Sequence, residues 1–209
     1  MQLQWSNTAA AEPTAALLCA LAVATAVHFA RVRTTTALAW TVAASAFAAT
    51  ARPECILIVP LNVLVVALLA PGELARRRLW GGALGGLALL AVSLLHMAAV
   101  RNEGWGTTGP QLSWQHASSN FAVNFWFFFA DERFSALCGV AAIVGASAFT
   151  RVRERAVLIA YALVFWLVFL FFYAGSYNYG ADVRYSLMTY SPMAILAPVR
   201  ALISGAPDR

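Results

Sequence analysis

Apolar residues in this chain fall in long runs, without the alternation of a half-buried strand or the stripe of an amphipathic helix. A helix that spans a bilayer needs about 20 largely apolar residues, with a range of about 17 to 25. Seven runs meet that length: Thr14–Ala30, Thr35–Ala51, Glu54–Ala70, Leu79–Val100, Phe134–Thr150, Ala156–Ala174 and Arg184–Ser204. The pattern predicts an all-α, polytopic integral membrane protein of about seven transmembrane helices. Residues 1–209 form one transmembrane helical domain in this reading.

The second and third runs are separated only by Arg52 and Pro53. One continuous helix from Thr35 to Ala70 has 36 residues, about 54 Å at about 1.5 Å each. The hydrocarbon core is about 30 Å thick. Proline lacks an amide donor and suits the first turn of a new helix. It also pushes the preceding residue toward an extended backbone. A tight helical hairpin turning at Arg52–Pro53 is therefore expected. Pro60, Pro192 and Pro198 fall inside runs and are expected to kink them. GGALGG in the fourth run suits close helix approach.

The long connection is 101–133. Its first half is rich in glycine and turn residues. Its second half, SNFAVNFWFFFADERF, repeats Phe121, Phe125 and Phe128 at helical spacing, with Asn120 and Asn124 on another face. It predicts a short helix lying in the membrane interface, apolar side down. An interfacial anchor and a lid or acceptor-binding element are both open readings. Trp105, Trp114 and Trp126 suit the aromatic belt.

Composition agrees with the pattern. Hydrophobic residues make up 61% of the chain and charged residues 11%, against about 25% charged in a soluble domain. All 14 basic residues are arginine. They cluster between runs, where they set topology. This placement excludes a nucleic-acid-binding reading of the net charge of +5. With the hairpin in place, one side of the membrane receives ten arginines and three carboxylates, and the other receives four and six. The positive-inside rule makes the first side cytoplasmic. The N-terminus is then outside and the C-terminus inside, in a bacterial inner (plasma) membrane. No cleavable leader is evident, because MQLQWSNTAAAEP lacks a positive charge and a short apolar region. Cys19, Cys55 and Cys138 lie far apart in apolar runs and read as buried free thiols.

Two constellations on the outer side are candidates for chemistry. Arg52 and Glu54 flank Pro53, where the free amides and positive dipole end of a helix start are expected. A planar guanidinium there suits the phosphate of an anionic lipid. The two side chains pairing only with each other is the equal alternative. The second constellation is Asp182, Arg184 and Tyr185 at the start of the last run, among Tyr173, Tyr177, Tyr179 and Tyr190. A plain salt bridge in an interfacial belt explains it as well. Two arginines facing one compartment can also clamp a phosphate diester or diphosphate. Glu12, before Pro13, reads as an N-terminal helix cap. His28, His96 and His116 show no ligand spacing, and Asp131 with Glu132 reads as a solvated flank. No metal motif, P-loop or nucleophile elbow is present.

Three stretches, AAAEPTAALLCALAV, AFAATARPECILIVPLNVL and DVRYSLMTYSPMAILAPV, together resemble the polyprenyl-phosphate-sugar-dependent glycosyltransferases of the GT-C membrane fold. That group includes protein O-mannosyltransferases and aminoarabinose transferases. The resemblance implies a lipid-linked sugar donor bound from the outer leaflet, and transfer to an acceptor glycan, lipid or protein outside. By position, Arg52 and Arg184 are its donor-phosphate candidates, with Glu54, Asp182 and Tyr185 beside them. The family's large outer loop with its acidic catalytic residue has no counterpart before Glu12. The chain is thus expected to be the C-terminal part of such an enzyme and inactive alone, with no catalytic residue assigned. A mis-placed start or lost catalysis would leave the same pattern. A non-catalytic membrane scaffold or transporter-like subunit is the alternative. Apolar helix centres and the absence of a repeat count against transport. A lipid-linked polysaccharide polymerase or ligase shares the outer arginines.

Overall fold

The computed structural model describes residues 2–100, 110, 112–130, 136–177 and 186–197, with the side chains of 2–12 and of 92, 93, 96, 97 and 100 outside that description. Eight α-helices are found among the described residues: α1 (Gln2–Val32), α2 (Thr35–Ala51), α3 (Ile58–Leu69), α4 (Arg77–Val100), α5 (Trp114–Ala130), α6 (Ala136–Ala148), α7 (Val152–Phe171) and α8 (Leu187–Leu196). The described residues are all-helical but for one isolated antiparallel bridge, Leu112 to Phe172. Among the described residues, two stretches, Pro13–Val32 and Val152–Phe171, are long and apolar enough to cross a bilayer. The chain divides into two compact units, Met1–Gly109 and Pro110–Arg209.

In the first unit, α1 packs on α2 and α3, and α2 packs on α4. The α1–α2 turn closes through Arg33, which adopts a left-handed backbone (φ 56°) and donates its amide to the Phe29 carbonyl at 2.8 Å. That conformation costs a non-glycine residue roughly 1–2 kcal/mol. It satisfies a carbonyl that the helix end leaves open. Thr34 then caps α2, its Oγ1 accepting from the Ala37 amide at 3.2 Å.

The expected break after α2 is present. Arg52 is extended (φ −154°, ψ 151°), and a 3₁₀ turn, Pro53–Leu57, leads into α3. Asn62 Nδ2 reaches Ser45 Oγ at 2.8 Å, a pairing centred on Pro53, so α2 and α3 form a hairpin about that turn. Register along α2 and α4 advances in steps of four. Gly82 faces Leu38 and Val42, and Gly86 faces Val42, while Leu90 packs on Ala46 and Ala49. These two helices therefore run in the same direction. The glycines permit the approach, because a Cβ on Gly86 would lie 3.2 Å from Val42.

The core of this unit mixes many alanines with Phe29, Ile58, Leu61 and Val65. Ala15, Ala22, Ala26 and Ala48 are fully enclosed, while Leu17, Trp40, Phe47 and Leu84 are about two-thirds exposed. A soluble bundle keeps most of its largest apolar side chains inside.

The second unit is built on aromatics. From Leu112 to Phe128, the chain meets the end of α7 and the segment after it, and α5 also packs on α6. Ser113 donates its amide to the Phe171 carbonyl, Trp114 packs edge-on against Phe171, Phe121 against Trp166 and Phe128 against Tyr177. Seventeen residues of α5 span about 25 Å, so α5 crosses the end of α7 and does not run alongside it. Phe127, Phe128, Phe169 and Tyr177 form the core there. Gly145 of α6 lies under α8, where a Cβ would overlap the Leu196 carbonyl.

Three expectations change. Helix α1 begins at Gln2 and continues through Pro13, so Glu12 is interior to a helix and is not its cap. Asn120 and Asn124 do share a face of α5, but that face is buried, whereas Phe121 and Phe125 are half-exposed. Tyr177 is fully enclosed and belongs to the core, not to a surface belt. Of the last apolar run, the described part is α8, with Pro192 inside it.

Candidate functional site

The outer-turn candidate is a compact ion pair. Arg52 Nε lies 2.5 Å from Glu54 Oε1, with the two side chains 17% and 13% exposed. The geometry follows from the local sequence. Pro53 forces Arg52 to be extended, and the 3₁₀ turn that follows brings Glu54 back beneath the guanidinium. Glu54 also sits in the first turn of that helix, where a carboxylate is favoured by the dipole. The thiols of Cys19 and Cys55 lie against each other, with Glu54 close by. Cys19 and Cys55 are buried and free, as expected, whereas Cys138 is exposed, against the burial its apolar run suggested. The sequence spacing of 36 residues gave no sign of that contact.

Asp182, Arg184 and Tyr185 lie outside the described residues, as do Asp131 and Glu132. The structure therefore describes one of the two candidate constellations. His28 is exposed and His116 is half-buried, with Nε2 of His116 3.2 Å from the Pro110 carbonyl. Among the described residues, no three His, Cys, Asp or Glu side chains converge as metal ligands.

At the other end of the first unit is a charged cluster that sequence reasoning did not single out. Glu73 is 2% exposed. Its Oε2 accepts from Arg78 Nη2 at 2.6 Å and from Arg78 Nε at 3.1 Å. Its Oε1 lies 3.1 Å from Arg76 Nη1. Trp80 Nε1 donates to the Leu74 carbonyl at 2.8 Å, so the segment Glu73–Trp80 is tied to itself. The available sequence signal was a single glutamate preceding three arginines, which reads equally well as a solvated run.

Between these ends runs a cleft of about 120 Å³. Helix α2 forms its floor, α3 one wall and α4 the other, with Phe29 of α1 closing its base. The floor offers almost no donor. Thr41 Oγ1 donates to the Ala37 carbonyl at 2.9 Å, and Ser45 Oγ to the Thr41 carbonyl at 2.7 Å. Asn62 Nδ2 is shared between Ser45 Oγ and the Ala22 carbonyl at 3.3 Å. That second contact fixes the amide orientation, because a carbonyl there requires the NH₂ group. Asn62 Oδ1 is buried without a partner.

In the second unit the polar groups serve the fold. Asn120 Nδ2 is within reach of three carbonyls at the end of α7: Phe169 at 3.2 Å, Leu170 at 3.0 Å and Phe172 at 2.9 Å. Asn124 Nδ2 donates to the Gly175 carbonyl at 2.9 Å, and its Oδ1 accepts the Tyr177 amide at 2.9 Å. The last carbonyls of a helix have no partner within it; Asn120 takes that place at the end of α7, and Asn124 fastens the segment that follows. No protein-family model, no curated protein and no solved structure matches this chain.

Proposed function

We propose that this chain is a membrane-embedded part of a polyprenyl-phosphate-sugar-dependent glycosyltransferase of the GT-C kind. In this reading it spans a bacterial plasma membrane seven times, with the N-terminus outside, and holds the donor lipid phosphate at Arg52. Alanines packed between the helices of the first unit, and large apolar side chains exposed on its outside, support the membrane setting. Helices in lipid associate through close packing of small residues, and their outer faces meet hydrocarbon. The α7 start adds a second support. Arg151, Arg153 and Arg155 flank the N-terminus of that helix, where each cation opposes the dipole by about 0.3–1 kcal/mol. Helix stability alone would not place them there, whereas retention on the cytoplasmic side would.

The observation that carries the site is Arg52 itself, a half-buried guanidinium at the start of a helix. Helix starts favour anions. A phosphate arriving there competes with Glu54 for the guanidinium, so Glu54 would set the affinity. The test is binding of a polyprenyl phosphate sugar to the purified chain with Arg52→Ala and, separately, Arg184→Ala. A drop of about tenfold or more in either is expected, since a charge-assisted bond contributes about 1.5–3 kcal/mol. Unchanged affinity in both removes the reading. The closed Arg52–Glu54 pair favours the second reading, a non-catalytic membrane scaffold, in which the pair serves only to fasten the turn.

A further inference from the structure

We infer that the first unit carries a binding site for an anionic phospholipid at its arginine-rich end. The headgroup phosphate would rest on Arg33, Arg76 and Arg77, with one acyl chain in the cleft between α3 and α4. The inference shares with the proposed function the premise that these helices lie in a bilayer. It does not depend on sugar transfer, and it lies at the end of α2 opposite Arg52.

The register of α2 against α4 puts the two parts together. Leu38 faces Gly82, so the start of α4 lies beside the start of α2, where Arg33 turns the chain. Leu79 and Trp80 line the cleft and directly follow the arginines. The cleft thus opens at its charged end beside Trp80, which is 53% exposed. Its far end is marked by Leu90. From Leu79 to Leu90, the rise along α4 is about 16 Å, half of a hydrocarbon core of about 30 Å. That is the depth of one leaflet. The walls are apolar and outward-facing, with Ala83 and Leu87 on α4 and Val59 and Val63 on α3. The hydroxyls on the floor donate back into α2. Such a lining suits hydrocarbon and does not suit a headgroup.

Charge at the mouth points to an anion. Arg33 and Arg77 are exposed, and among the described residues neither has an ion-pair partner. Arg76 is 54% exposed beyond its contact with Glu73. Arg77 opens α4, where its charge opposes the helix dipole. A phosphate at that point is attracted by the dipole and by the guanidinium groups together. Buried Glu73 neutralises Arg78 and orients Arg76, leaving the remaining charge directed outward.

The test is retention of phosphatidylglycerol and of phosphatidylcholine, with identical acyl chains, by the whole chain in native mass spectrometry. Phosphatidylglycerol is expected to be retained about tenfold better. Arg33→Gln with Arg77→Gln should remove that preference. Ala83→Trp, or the smaller plug Ala83→Leu, should lower retention of both lipids. Gly81→Trp, on a side of α4 facing open space, should change nothing and serves as the folding control. Equal retention of the two lipids by the unsubstituted chain overturns the inference. So does lipid binding indifferent to Ala83→Trp, or binding of soluble glycerol 3-phosphate as tight as that of the whole lipid. A dimer that Ala83→Trp dissolves without affecting lipid would assign the cleft to a second copy and also overturn it.

Discussion

The two units handle buried polarity in opposite ways. In the second, Asn120 and Asn124 commit their side chains to backbone groups at the end of α7. In the first, buried carboxylates pair with arginines at helix ends, Arg52 with Glu54 and Glu73 with Arg76 and Arg78; each unit also keeps a buried polar atom without a partner among the described residues, Asn62 Oδ1 and Trp166 Nε1. Asn124, with both ends of its amide bonded to the backbone, has nothing left for a ligand. Guanidinium groups near a surface can exchange one anion for another at little loss. This contrast assigns structural work to the asparagines and leaves the arginines of the first unit as the binding candidates.

The largest effect that tests the contrast is expected for Asn124→Ala. It leaves the Gly175 carbonyl and the Tyr177 amide without their partner in an enclosed region, at about 1–3 kcal/mol for each group. Thermal unfolding in detergent should show a loss on the order of 3 kcal/mol, and a wild-type midpoint would contradict the role given to this residue. Glu73→Gln should cost less, about 1 kcal/mol. Although Glu73 is buried, Arg76 and Arg78 are 54% and 30% exposed, so both can turn to solvent once the carboxylate is gone. A loss as large as that of Asn124→Ala would show that the charge pairs also hold the fold.

The smallest effect is a pH dependence. Burial pushes the Tyr177 phenol above its ordinary value of 10.0, with Tyr190 adding to the shift. The folded state then keeps a proton that the unfolded chain releases. Stability from this group is full below pH about 10 and declines as pH rises beyond it. Tyr177→Phe should flatten that alkaline decline in a pH series of unfolding midpoints, and an unchanged slope would place the titration elsewhere.

How much of this was legible depended on the range of the cause. The turn at Arg52–Pro53 was readable because proline acts on its own residue and the one before it. GGALGG was readable as a contact surface, since glycine spacing alone shows which residues share a helix face, and Gly82 and Gly86 do meet α2. The partners of Asn120 and Asn124 lie about 50 residues away, so no local pattern predicted that the asparagine face would be the buried one. Helix α1 passing through Pro13 was equally hidden, because a proline signals a helix start as readily as an interruption. The burial of Glu73 depends on α3 ending where it does, against a segment whose arginines looked merely solvated.

The asparagine joint also bears on how the chain is made. Helix α5 leaves the ribosome before α7, so its amides are in place when the end of α7 emerges. The carbonyls at the end of α7 are therefore satisfied by a side chain that precedes them in the chain, and Asn120→Ala would leave them to be met by water or by nothing.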